Sequence, residues 1–195
     1  MHPCGRFNRN TLDYIINQVY ADEQIRILHR LDANTTGVVI MAKKKSAAQF
    51  IHPQFVNHQV GKTYLARVQG HPSESKFDCD APIGSKASVV GSRRITKEGR
   101  FAKTGFQVLQ KFDDQTSLIE CTPKTGRTNQ IRIHLSHLGF PIIGDPTYNT
   151  DCKPSQSLEL GEPPMCLHAY RVEFTHPTTK ELVKIQAGSP GWAMI

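Results

Sequence analysis

Lys62-Thr63-Tyr64-Leu65-Ala66-Arg67-Val68-Gln69 is the stretch from which the fold can be read. Tyr64, Ala66 and Val68 alternate with Thr63, Leu65 and Arg67, and the run stops at Gly70. Alternation with a period of two, rich in aromatic and β-branched residues, predicts a strand. Downstream, residues 104–111 and 116–122 carry the same signal and are joined by a turn at Asp113-Asp114. Residues 168–175 and 182–186 predict a closing hairpin around Pro177-Thr178-Thr179. Between the first two strands, residues 71–103 are rich in Pro, Gly, Ser and charge. They predict short strands and a mobile, basic loop around Ser92-Arg93-Arg94.

Upstream, Val38-Val39-Ile40-Met41-Ala42 is an apolar run that predicts a buried strand after Gly37. Helices are few. Asn10 predicts the cap of a helix over 11–20, with Leu12, Ile15, Ile16 and Val19 on one face. Ser46 predicts the cap of a helix over 47–57, broken at Pro53. A third helix is predicted over 129–137, ending at Gly139, and residues 149–165 predict a polar loop. Many strands with few, non-alternating helices imply an α+β fold: a largely antiparallel, mixed β-sheet with flanking helices, in one domain over 1–195.

The 195 residues suffice for one sizeable core. Lys and Arg number 24 against 17 Asp and Glu, for a net charge of +7, which points toward an anionic partner such as RNA or toward a basic surface tuned for solubility. Cys4, Cys79, Cys121, Cys152 and Cys166 are odd in number and show no CxxC spacing, so neither a disulfide framework nor a zinc site is expected. No apolar stretch approaches the length of a membrane span. The expectation is a monomer in a reducing compartment, the cytoplasm first, with nucleus and organelle open.

Two segments carry the chemistry. His29-Arg30-Leu31-Asp32-Ala33-Asn34-Thr35-Thr36-Gly37 holds one acid in a turn rich in Thr and Gly. Lys124-Thr125-Gly126-Arg127-Thr128-Asn129-Gln130-Ile131-Arg132-Ile133-His134 opens a helix with a basic cluster. A lone carboxylate matched to a basic, hydroxyl-rich pocket suits chemistry on a polyanion, and the acid needs a cationic partner to stay ionised. The second segment lacks the first glycine of a phosphate-binding P-loop and has Arg where that loop has Lys.

These segments resemble the HRLD-x-x-T-S-G and TGR-T-H-Q-I-R signatures of the RluA-type pseudouridine synthases. Gly61-Lys62-Thr63-Tyr64 is similar to the family's K-x-Y strand, and Gly139-Phe140-Pro141-Ile142-Ile143-Gly144-Asp145 with Tyr148 to its G-x-P-I-x-G-D-x-x-Y turn. Leu167-His168-Ala169 and His176-Pro177 are similar to its closing strands. Thr36 stands where bacterial members usually have Ser, and Asn129 where many have His. His2-Pro3-Cys4-Gly5 with Asn10-Thr11 resembles a stretch of the eukaryotic branch that relatives precede with further strands. The expectation is therefore a pseudouridine synthase catalytic domain lacking the family's usual first strands and any S4-like appendage.

The resemblance implies isomerisation of uridine to pseudouridine within RNA, with no metal and no cofactor. It makes Asp32 the catalytic carboxylate, with attack on C1′ and proton abstraction from C2′ both open. Arg127 becomes its counter-cation, and Tyr64 the aromatic that packs on the uracil. Arg30, Thr35, Thr36, Lys62, Lys124, Asn129, Arg132 and His134 become RNA-binding residues, with Arg30 placed to fill the gap left by an everted base. The bland alternatives are a buried Asp–Arg pair tying two segments together and a core tyrosine. A non-catalytic RNA-binding protein or inactive fragment is the competing function. A glycosidase fits less well, because most use two carboxylates. The eukaryotic-looking stretch favours tRNA as substrate, with rRNA and mRNA open.

Overall fold

The computed structural model describes residues 9, 11–86, 92–149 and 164–193. Helix α1 (Leu12–Val19) leads into a short strand, β1 (Arg26–Ile27), then β2 (Thr36–Gly37) and β3 (Met41–Ala42). Helix α2 (Lys45–Val56) precedes the long strand β4 (Gly61–Gln69). Strands β5 (Lys76–Cys79), β6 (Thr104–Lys111) and β7 (Thr116–Pro123) follow, then helix α3 (Gln130–His137) and strands β8 (Leu167–Thr175) and β9 (Leu182–Gln186). A 3-10 turn, Gly191–Ala193, closes the described chain.

The main sheet runs β2-β8-β4-β7-β6-β5. The β2–β8 pair is parallel and the other pairs are antiparallel. β2 and β9 share one edge of β8, β2 against His168 and Ala169 and β9 against the stretch from Arg171 to Thr175. The architecture is the α+β, largely antiparallel mixed sheet that the sequence predicts. β4 lies at its centre and is buried on both faces: Ala66 and Val68 enter the main core with Ile119, Cys121, Leu135 and Ile142, while Leu65 packs on the other side with Leu118. A second core under α2 gathers Leu28, Ile40, Ile51, Val172 and Phe174.

Three local expectations are corrected. α1 is capped by Thr11, whose Oγ1 accepts from Tyr14 N–H at 3.2 Å, while Asn10 lies outside the described residues. Its apolar face is not buried: Ile15 and Val19 are 52% and 69% exposed. The run 38–42 yields strand only at Met41–Ala42, paired with β1 in a separate ribbon. The backbone before it bonds divergent partners, Val38 N–H to Ala169 O and Ile40 N–H to the His29 ring, so no continuous ladder forms. Finally, α2 runs unbroken through Pro53 from an N-cap at Lys44 rather than Ser46. Proline removes one helical hydrogen bond, but Gln54 anchors the last turn to β8, accepting from Thr175 N–H at 2.8 Å and donating to Thr175 O at 3.0 Å. The predicted loop over 149–165 falls mostly outside the described residues.

Candidate active site

The segment from His29 to Gly37 has no regular structure before β2, and its geometry is fixed at three points. His29 stacks on Phe55 with ring centroids 4.7 Å apart and accepts from Ile40 N–H through Nε2 at 3.0 Å. Burial, with the Lys62 charge nearby, lowers the His29 pKa to about 4, so the ring is neutral and serves as an acceptor. Thr35 N–H closes a turn onto Asp32 O at 3.2 Å, with Asn34 left-handed at φ 64°. Gly37 then enters the parallel pair with β8 at φ 108°. A Cβ there would sit 2.2 Å from Ala169 O, so only glycine fits.

The second segment turns from β7 into α3 around Gln130, which is buried and uses both ends of its amide. Its Oε1 accepts from Thr125 Oγ1 at 2.7 Å and Arg127 N–H at 3.0 Å. Its Nε2 donates to Lys103 O at 3.0 Å and Thr104 Oγ1 at 2.9 Å. This clamp fixes the Thr-Gly-Arg turn against β6. Asn129, left-handed at φ 56°, caps α3 and directs its N–H to Asp32 Oδ1 at 3.3 Å.

A cleft of about 320 Å³ lies between the two segments. Asp32, Arg30, Thr35, Lys62, Tyr64 and Arg127 line it together. Tyr64 comes from the middle of β4, where its pairing with β8 shifts register between Thr63 and Tyr64. Irregularities of this kind re-aim a side chain beside a site. Burial and the Asp32 charge both raise the Tyr64 pKa, keeping the phenol protonated.

Burial also raises the Asp32 pKa above its ordinary range, against opposing contributions from Arg132, the Asn129 N–H and Arg30. Arg132, not Arg127, is thus the leading cation acting on Asp32. Arg127 instead donates from Nε to Phe101 O at 3.0 Å on the cleft wall. Arg132 is itself buried and bidentate to Asp145, with Nε–Oδ2 and Nη2–Oδ1 both at 2.7 Å, while its Nη1 donates to Asn129 Oδ1 at 3.1 Å. Tyr148 covers the guanidinium at 4.9 Å and accepts from Asn129 Nδ2 at 3.1 Å. Asp145 and Tyr148 were visible in the sequence only as members of a turn signature. Their work is to hold Arg132.

Two expected RNA contacts are corrected. Arg132 spends its fork on Asp145 and is 3% exposed. His134 is fully buried, bonded to Thr104 Oγ1 at 2.9 Å and Ala81 O at 3.0 Å. Residues 130–135 of α3 are all buried, so both side chains serve the interior. Thr36 is outside the cleft with its hydroxyl against His168 Nδ1 at 2.7 Å. Asn129 holds Arg132 and Tyr148 with its side chain. Lys124 is exposed at the rim of a neighbouring cleft.

A family profile described as RNA pseudouridylate synthase matches residues 1–137. The chain belongs to that family. It is 40% identical over 150 residues to human "Pseudouridylate synthase RPUSD2", covering 77% of this chain and 27% of the relative. It is 36% identical over 167 residues to "Ribosomal large subunit pseudouridine synthase C" of Escherichia coli strain K12, covering 84% of this chain and 52% of the relative. The chain thus spans between about a quarter and a half of the length of these relatives. Among solved structures, Human RNA Pseudouridylate Synthase Domain Containing 1 superposes with a TM-score of 0.75 at 30% identity, covering 92% of this chain and 74% of that one. No helix among the described residues is long and apolar enough to cross a membrane.

Proposed function

We propose that this chain isomerises uridine to pseudouridine in RNA, with Asp32 as the carboxylate that acts on the ribose. The observation that carries the reading is the meeting of Asp32, Tyr64 and Arg30 on one cleft, with a buried guanidinium behind the acid. The reaction cuts the N1–C1′ bond, turns the uracil and joins C5 to C1′; C5 gives up its proton and N1 gains one, so composition is unchanged and no electron is transferred. A base inside a stack is out of reach, and everting it costs a few kcal/mol. Arg30, exposed beside the acid, fills the gap or pairs with flanking RNA. The uracil packs against Tyr64, whose phenol stays protonated and can donate a hydrogen bond to the turning base. Arg132 and the Asn129 N–H favour the ionised carboxylate against its burial. Arg127, Lys62, Lys124 and Thr35 bring positive charge and a hydroxyl to the cleft and its rim.

tRNA is the first substrate to try, with rRNA and mRNA fragments beside it. Incubation with each, followed by nucleoside digestion and mass spectrometry, tests the reading. Pseudouridine formed by the native chain and absent with Asp32→Ala is expected. Equal yield from both proteins would remove Asp32 from the chemistry, and RNA binding without any pseudouridine would leave a binding protein.

A further inference from the structure

A second cleft of about 350 Å³ adjoins the first, and the two share Lys62 and Pro123 as a common wall. Its other walls include Lys124 and Thr122 on one side and Arg171 and Glu173 of β8 on the other. Each cleft is at the small end of the range for ligand cavities. The charge in the second is unbalanced. Glu173 already faces two cations, Arg171 Nε at 3.2 Å and Lys184 Nζ at 3.6 Å. Arg171 also donates to Thr63 Oγ1 at 3.3 Å. Among the described residues, neither Lys62 nor Lys124 makes an ion pair or a side-chain hydrogen bond. Lys62 is held in the partition and largely desolvated, which lowers its pKa. Gly126 lies beside the ammonium, with the position of a Cβ there 3.6 Å from Lys62 Nζ. A desolvated cation without a carboxylate, set between two small clefts, calls for an anion that bridges them.

Resting on the uridine reading of the first cleft, we infer that the second cleft seats the nucleotide next to the everted uridine on the same RNA strand. Lys62 takes the phosphodiester linking the two, and Lys124 with Arg171 takes the next phosphate. Such a seat is indifferent to sequence, because its donors are ammonium and guanidinium groups aimed at backbone oxygens. It makes one side of the target uridine, not both, important for binding.

The test uses fluorescence anisotropy with a uridine-centred trinucleotide and two pentanucleotides, one lengthened on the 5′ side and the other on the 3′ side. One lengthening should tighten binding about tenfold, equivalent to about 1.4 kcal/mol, and the other should not. With Lys124→Gln that gain should vanish and the salt dependence of log Kd should flatten by about 0.7 per lost phosphate contact. Lys124→Arg should restore both. Lys124 is exposed, so the glutamine variant keeps the fold, which circular dichroism checks. No gain on either side, equal gains on both, or a gain that survives Lys124→Gln would overturn the second seat. Pseudouridine measured in the same RNAs separates the two ideas. Absence of product with the one-sided gain intact removes the activity and keeps the seat; product without the gain does the reverse.

Discussion

Two carboxylates interact electrostatically with one guanidinium and live in opposite circumstances. Asp145 is saturated: it accepts from Arg132 Nε and Nη2 at 2.7 Å each, and from the N–H groups of Thr147 at 2.8 Å and Tyr148 at 3.0 Å. Among the described residues, the Asp32 carboxylate accepts one hydrogen bond, from Asn129 N–H at 3.3 Å. Both feel the Arg132 charge, but the short bidentate geometry belongs to Asp145. A carboxylate with its oxygens occupied is a strut, and breaking such a buried pair strands a charge. A desolvated carboxylate with spare lone pairs is poised to attack or to take a proton. The same arginine serves both, held still by one acid while it favours ionisation of the other.

The sharpest way to break the comparison is to delete each acid and read activity against stability. Asp32→Ala should abolish single-turnover pseudouridine formation, with a loss on the order of 10⁴-fold or more, the scale for removing a reacting group. Its folded state should survive intact by circular dichroism. Asp145→Ala should do the opposite in emphasis. It leaves Arg132 buried without its partner, at a cost of roughly 3–5 kcal/mol in urea unfolding. A fully stable Asp145→Ala protein would show that the pair is not a strut.

The contrast sharpens with pH. The proposed mechanism needs Asp32 ionised, and burial raises its pKa above the ordinary 3.8. The rate should therefore fall on acidification at a higher pH than an ordinary aspartate would give. Arg132→Gln removes the leading cation and should move this acid limb to still higher pH. The rate loss should be largest at the acid end of a single-turnover pH profile and narrow as pH rises. An unmoved limb would show that Arg132 does not govern ionisation of Asp32.

The sequence made much of this frame legible where the physics is local. Strands β4, β6, β7, β8 and β9 follow from alternation and turn residues close at hand. The parallel contact of Thr36 and Gly37 with His168 and Ala169 joins segments distant in sequence, and no local pattern marks it. The choice between Arg127 and Arg132 was hidden for a related reason. Two arginines share one motif, and which is buried depends on the surroundings of α3. Gln130, Arg132 and His134 are buried as well as Ile131, Ile133 and Leu135, so the helix shows no apolar stripe to read. Their partners, Lys103, Thr104, Asp145 and Ala81, come from three other stretches of chain. Pro53 failed as a helix breaker because Gln54 ties the following turn to β8.

The smallest effect bears on the cost of keeping Asp32 poised. Its pKa is raised on folding, so ionising it opposes folding. That contribution is absent well below the unfolded value of 3.8, grows as pH rises through it, and is fully present above the folded pKa. Asp32→Asn removes the charge and keeps an oxygen for the Asn129 N–H. At neutral pH the variant should therefore be more stable than the native chain by about 1 kcal/mol, within the usual range for a stabilising substitution. The gain should shrink as pH falls toward the point where both states of the native protein carry a protonated Asp32. A constant gain across that range would trace it to packing instead of charge. Asp145 predicts the opposite sign, because Asp145→Asn weakens a saturated pair and should destabilise the fold at neutral pH. Matched unfolding curves of the two asparagine variants thus distinguish the proposed reactive carboxylate from the structural one without any RNA present.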